Sequence, residues 1–134
     1  MKDIKYIVIH CSDSPDDMNV HAKDIDRWHK ERGWNGIGYH FVICRNGNIE
    51  KGRAIDVPGA HCYGVNSKSL GICLIGRKNF TEEQFISLYG LCTDLKFEYP
   101  GATIKGHHFF NKRKTCPNFK VLELLGKDLC QPSL

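Results

Sequence analysis

Four short apolar runs, at 4–9, 38–45, 70–75 and 102–106, alternate with helix-length segments, and that alternation limits the chain to a mixed sheet with helices packed against it, an α/β domain. The first run, Ile-Lys-Tyr-Ile-Val-Ile, reads as a buried strand with His10 at its C-terminal end. The polar stretch from Cys11 to Asn19 holds Pro15 and reads as a loop. Val20 to Arg32 reads as a helix with Asn19 as its N-cap, Ile25 and Trp28 on its inner face and Gly33 as its stop. The run 38–45 is followed by Asn46-Gly47, a strong hairpin signal, so 48–51 is the return strand. Residues 70–75 read as a central strand bounded by Gly76. Thr81-Glu82-Glu83-Gln84 is a capping box opening a helix to about Tyr99, where Pro100 ends it. Residues 102–106 form a last short strand, and Phe119 to Leu129 a closing helix.

At 134 residues the chain is expected to form one domain, 1–134, with one core and no linker. No apolar run approaches the ~20 residues that span a bilayer, so no membrane insertion is expected. The N-terminus runs straight into a strand pattern without a secretory signal, so folding in the cytoplasm is expected. The net charge of +4 favours an anionic partner without choosing one. Seven cysteines, an odd number with no C-x-x-C, argue against a disulfide framework and for buried thiols, most clearly Cys44, Cys73 and Cys92.

Chemistry concentrates in two segments about a hundred residues apart. One is Ile7-Val8-Ile9-His10-Cys11-Ser12; the other is Gly106-His107-His108 followed by Lys114-Thr115-Cys116-Pro117. Together they offer two imidazoles and a thiolate, the ligand set of a zinc ion with one position left for water. His10 and His107 each fall where a strand gives way to a loop, the usual place for a ligand site in such sheets.

The combination resembles the type 2 N-acetylmuramoyl-L-alanine amidases, a family that includes the peptidoglycan-recognition proteins and the short lysozymes of T-odd phages. The matching pieces run in the family's order: Ile9-His10-Cys11-Ser12, Trp28-His29-Lys30, Gly33-Trp34, Gly38-Tyr39-His40-Phe41, Gly47, Gly59-Ala60-His61, Asn66, Ser69 to Gly76, Thr81, and Gly106-His107-His108 through Cys116-Pro117. They span nearly the whole chain, and the phage lysozymes are its nearest likeness.

The resemblance implies one zinc ion bound by His10, His107 and Cys116, with Tyr39 and Lys114 at the two catalytic positions that are not ligands. The ligand set leaves a site charge of +1, and zinc can bring the pKa of water to about 7. A lysine there would stabilise an oxyanion, and a tyrosine would orient or relay a proton. The loop before Cys116 is about one residue longer than in the phage lysozymes and more basic, so Lys112 or Arg113 could fill the place of Lys114. Tyr39 also reads as a core aromatic, since alternation sets it with Phe41 and Ile43 and both faces are apolar. His61 and Asn66 lie in a loop that, by the resemblance, borders the substrate groove. No role is argued for His21, His29 or His40.

The implied reaction is hydrolysis of the amide between the lactyl group of N-acetylmuramic acid and L-alanine of the stem peptide. The partner is peptidoglycan, with no nucleic acid, by a monomer that waits in the cytoplasm and then attacks the wall, as an endolysin does. Two other readings compete. A peptidoglycan-binding protein without activity would characteristically lack the thiolate, which Cys116 supplies. A nuclease is suggested by His107-His108-Phe109-Phe110-Asn111, but such sites follow a β-hairpin and open a helix.

Overall fold

The computed structural model describes residues 3–133. Five strands form one sheet: β1 (Tyr6–Cys11), β2 (Phe41–Ile43), β3 (Ile49–Lys51), β4 (Ser69–Leu74) and β5 (Thr103–Gly106), in the order β3-β2-β4-β1-β5. β1 is parallel to β4 and β5, and β4 is parallel to β2, so four strands end at one edge of the sheet. Only β3 runs antiparallel, returned by the Asn46-Gly47 turn with Gly47 at φ 90°. Such a mixed sheet is what the alternation of apolar runs predicts.

Its two faces are closed differently. Ile7 and Ile9 of β1, Ile43 of β2 and Ile72 and Leu74 of β4 pack beneath α2 (Glu82–Glu98), through Leu88, Cys92 and Leu95. Val42 and Cys73, on the opposite face, pack against α1 (Ala22–Glu31) through Ile25 and Trp28. α2 starts at the capping box: Thr81 Oγ1 accepts the Gln84 amide at 3.0 Å, and Gln84 Oε1 accepts the Thr81 amide at 3.0 Å. The buried side-chain Nε2 of Gln84 donates to Ile43 O and Ile75 O, tying the helix to the ends of β2 and β4. Near the other end Lys96 is buried, and its ammonium donates to the carbonyls of Pro100, Ala102 and Gln131.

Four local expectations are corrected. The N-cap of α1 is His21 rather than Asn19; its amide donates to Asp24 Oδ2 at 2.9 Å. Ile25 and half-buried Trp28 do lie on the inner face of α1, as expected, and His29, four residues after Ile25, is buried with them. The strand expected over 38–45 is regular only over Phe41–Ile43, and a bend at His40 breaks the alternation, so Tyr39 packs on the α1 side while Phe41 and Ile43 face α2. The closing helix is two pieces, α4 (Val121–Leu125) and α5 (Lys127–Cys130), because Gly126 sits between them at φ 90°, ψ 150°, outside the helical region. Directly after β5 a helical turn, α3 (His107–Phe110), stands where a loop is predicted.

Candidate active site

The sheet register brings the two distant segments together. Ile9 of β1 pairs with Gly106 of β5 in parallel, so His10 and His107, each one residue further, emerge side by side with ring centroids 4.5 Å apart. Cys116 reaches the same place along the return loop: the Cys11 amide donates to Cys116 Sγ at 2.8 Å. Gly106 lets the loop close, since a Cβ there would lie 2.9 Å from Pro117 Cδ. One donor atom each from His10, His107 and Cys116 lies within 4.8 Å of the others.

The electrostatics of this trio suit a cation. Burial, then the charges of His61 and His107, push the His10 imidazole well below its ordinary range. Burial, with Lys114 and His108, lowers His107 too. Both rings therefore stay neutral at pH 7 and keep a lone pair to offer. The Cys116 thiol is pushed up, first by its hydrogen bond with the Cys11 side chain and then by burial. A divalent ion reverses that balance, since a coordinating thiol is deprotonated outright. Two imidazoles and one sulfur at this separation fit zinc, with room for a further ligand on the open side.

His61 stands behind His10. A hydrogen bond of 2.9 Å joins His10 Nε2 and His61 Nδ1, and His61 Nε2 lies 3.3 Å from Ser69 Oγ. Gly71 in β4 makes the space: a Cβ there would lie 2.7 to 2.9 Å from three atoms of the His61 ring. Asn66 holds the loop that carries His61, its Oδ1 accepting the amides of His61 and Cys62 at 2.9 and 2.8 Å.

Tyr39 lies on the other flank, its ring 5.0 Å from that of His10. Burial above all, then the neighbouring thiols of Cys73, Cys116 and Cys11, raise its phenol well above the usual value, so it is protonated at neutral pH. His29 holds the approach to Tyr39: its Nδ1 accepts the Gly38 amide at 2.9 Å, and its ring lies 5.7 Å from the Tyr39 ring. His40 is fully buried and spans the sheet, with Nδ1 accepting the Gly71 amide and Nε2 donating to Val57 O. The roles of His29 and His40 are absent from the sequence reading; the i, i+4 spacing of Ile25 and His29 was the available signal for the first.

Two adjoining cavities open over the trio. One, of about 520 Å³, is bounded by His10, Cys116, Tyr39, Arg113 and Lys114. The other, of about 420 Å³, runs past Trp34, His61, Tyr63, Asn66 and Lys114. Lys114 borders both. Lys112 turns away, with its ammonium 5.4 Å from the centre of the Phe109 ring. Arg32, which the sequence reading passes over, lines both cavities from the C-terminal end of α1. Tyr63 is 99% exposed on the rim of the second.

His107 and His108 part company here. His107 borders the two cavities over the trio, whereas His108 lines a separate, more apolar one with Phe109 and Val121. The helical turn of α3 sends the two neighbouring side chains to different sides. His107 does open a helical turn, as a His-His-x-x-Asn nuclease would require, but β5 before it pairs in parallel with β1 and belongs to no hairpin.

The same fold recurs in known proteins. The family model for N-acetylmuramoyl-L-alanine amidase matches residues 1–119. The endolysin of Klebsiella phage KP32 is 42% identical over 123 residues, 86% of this chain and 81% of that protein. The endolysin of Escherichia phage T7 is 40% identical over the same length and shares. Among solved structures, N-acetylmuramoyl-L-alanine amidase LysC from Clostridium intestinale superposes with a TM-score of 0.84 at 35% identity, covering 92% of this chain and 83% of that one. The chain belongs to the type 2 N-acetylmuramoyl-L-alanine amidase family and is a peptidoglycan amidase.

Proposed function

We propose that this amidase is a zinc enzyme of the endolysin kind, cutting the bond between the lactyl group of N-acetylmuramic acid and L-alanine. One domain, 1–134, would carry the whole site, acting as a monomer. The observation that carries the reading is the convergence of His10, His107 and Cys116 beneath an open cavity lined by Tyr39 and Lys114. These three residues would hold the ion. Bound there, zinc would supply Lewis acidity and an activated water at neutral pH.

The chain's own groups would do the rest. Negative charge builds on the amide oxygen as the carbonyl is attacked, and the Lys114 ammonium at the meeting of the two cavities would stabilise it. Tyr39, kept protonated by burial, would act as a hydrogen-bond donor that orients the attacking water and passes a proton, rather than as a free base. The stem peptide and sugar would lie along the second cavity, bordered by His61 and Asn66. His61 would also hold the His10 ring in place, as groups behind metal-binding histidines do. Endolysin-like relatives fit a protein that accumulates in the cytoplasm and reaches the wall on release.

The test is metal dependence on a soluble muropeptide. Chelation should abolish release of the L-alanine amino group and added zinc should restore it, while Cys116→Ser should bind substrate without cutting it. Full turnover after exhaustive chelation would contradict the reading, and a wild-type protein that binds zinc and muropeptide but never cuts would favour the binding-protein alternative.

A further inference from the structure

A second trio of metal-type donors lies away from the active site, where α1 meets the β2–β3 hairpin. His21 is the N-cap of α1, Cys44 follows β2 and Glu50 lies in β3. One donor atom from each lies within 4.8 Å of the other two. His21 Nδ1 is 3.0 Å from Glu50 Oε2 and 3.7 Å from Cys44 Sγ. A tetrahedral zinc with ordinary bond lengths holds nitrogen, oxygen and sulfur ligands roughly 3.4–3.6 Å apart, so the observed separations need only small shifts.

The other Glu50 oxygen is already placed. Oε1 accepts the Ala22 amide at 2.7 Å, which fixes the carboxylate and leaves Oε2 toward His21. Cys44 is buried, and its thiol is directed at His21 and Glu50 rather than into the core. A cavity of about 530 Å³ opens over His21 and Glu50, giving an ion a way in. Lys23 and Lys51 line its mouth and oppose a cation, but a thiolate and a carboxylate in direct contact outweigh them.

We propose that His21, Cys44 and Glu50 form a second, structural zinc site that clips the start of α1 to the hairpin. Binding replaces the hydrogen-bonding protons of the trio with the ion. Cys44 gives up its S–H proton to solvent, a neutral His21 carries its proton on Nε2, and the ion with two anionic ligands is left electrically neutral. Because α1 also carries His29, whose ring supports the segment before Tyr39, the clip steadies the helix that shapes one wall of the active cavity.

The experiment is equilibrium dialysis of the full chain against zinc, followed by metal analysis of wild type, Cys44→Ser and His21→Asn. Asparagine is itself a good N-cap, so the second variant keeps the start of α1 even if the first folds poorly. Each variant should bind one zinc fewer per chain than wild type and should still digest sacculi. Cobalt-loaded Cys116→Ser should also show a thiolate–cobalt absorption that disappears in Cys44→Ser/Cys116→Ser. Equal zinc content in wild type and both variants, or a cobalt band that survives loss of Cys44, would overturn the proposal. Both readouts compare chains that share the same residues at 10, 107 and 116, so they do not depend on the active-site reading.

Discussion

Three cations compete for one job in the loop before Cys116, and geometry sets Lys112 apart, since Lys114 and Arg113 both line the cavity over the trio. Lys114 borders both cavities over the trio, whereas the Lys112 ammonium lies over the Phe109 ring. Lys114→Ala should lower kcat by about 10²–10³-fold, the usual loss for a group that stabilises an oxyanion. Lys112→Ala should leave kcat near wild type, and the reverse order in a muropeptide assay would move the role to Lys112. Tyr39→Phe should cost about 10²–10⁴-fold in kcat with zinc content unchanged, as expected of a phenol proposed to orient or transfer a proton without binding the metal. Acid sensitivity belongs to this scale as well. His10, His29 and His107 are each held below the ordinary 6.5, with burial the largest cause. Below 6.5 the unfolded chain therefore takes up more protons than the folded one. The stability these neutral rings contribute is complete above 6.5 and is lost as pH falls through their folded-state values. Urea unfolding of the metal-free protein should show a midpoint that drops on acidification from about pH 7.5 to about pH 5.5; a flat or rising midpoint would contradict it.

Among the elements, β4 governs the site through a residue without a side chain. Gly71→Ala would press a methyl against the His61 ring, including the Nδ1 that is hydrogen-bonded to His10, and so force the ring to shift. Crowding of this kind costs about 1–3 kcal/mol, and a displacement near 1 Å at a reacting group can cost about 10²-fold in rate. Thermal melting and kcat measured on the same variant should show the larger loss in activity; a stability loss with normal kcat would mean that His61 does not position His10. The strands, the Asn46-Gly47 turn and the Thr81 capping box were legible in the sequence because each rests on local chemistry: apolar periodicity, a positive φ and a side-chain cap. Gly126 breaks the closing helix by the same local chemistry, a positive φ, although the apolar residues run on across it. Asn19 has the better intrinsic propensity to cap α1, but the contact between Glu50 and the Ala22 amide, 28 residues apart, starts the helix later. The same distinction divides the site. His10, His107 and Cys116 could be named from the family pattern, but their adjacency is a fact of β1–β5 register. The supporting parts of His29, His40 and Gly71 depend on which strands neighbour one another, and no local pattern carries that.

For the whole molecule, charge and metal decide what the fold can do. The net charge of +4, with Arg32, Arg113 and Lys114 lining the cavities, should draw the chain to an anionic wall polymer. Raising salt should therefore weaken binding to sacculi more than it weakens kcat on a small soluble muropeptide. His10, His107 and Cys116 are proposed to hold the zinc on which hydrolysis of the lactyl–L-alanine amide depends. Mass spectrometry of purified sacculi digested by zinc-loaded wild type, beside Cys116→Ser, tests it most directly. Stem peptides with a new L-alanine amino terminus, uncut glycan strands and no products from the variant are the expected result. Muropeptides with new reducing ends, or equal digestion by Cys116→Ser, would contradict it.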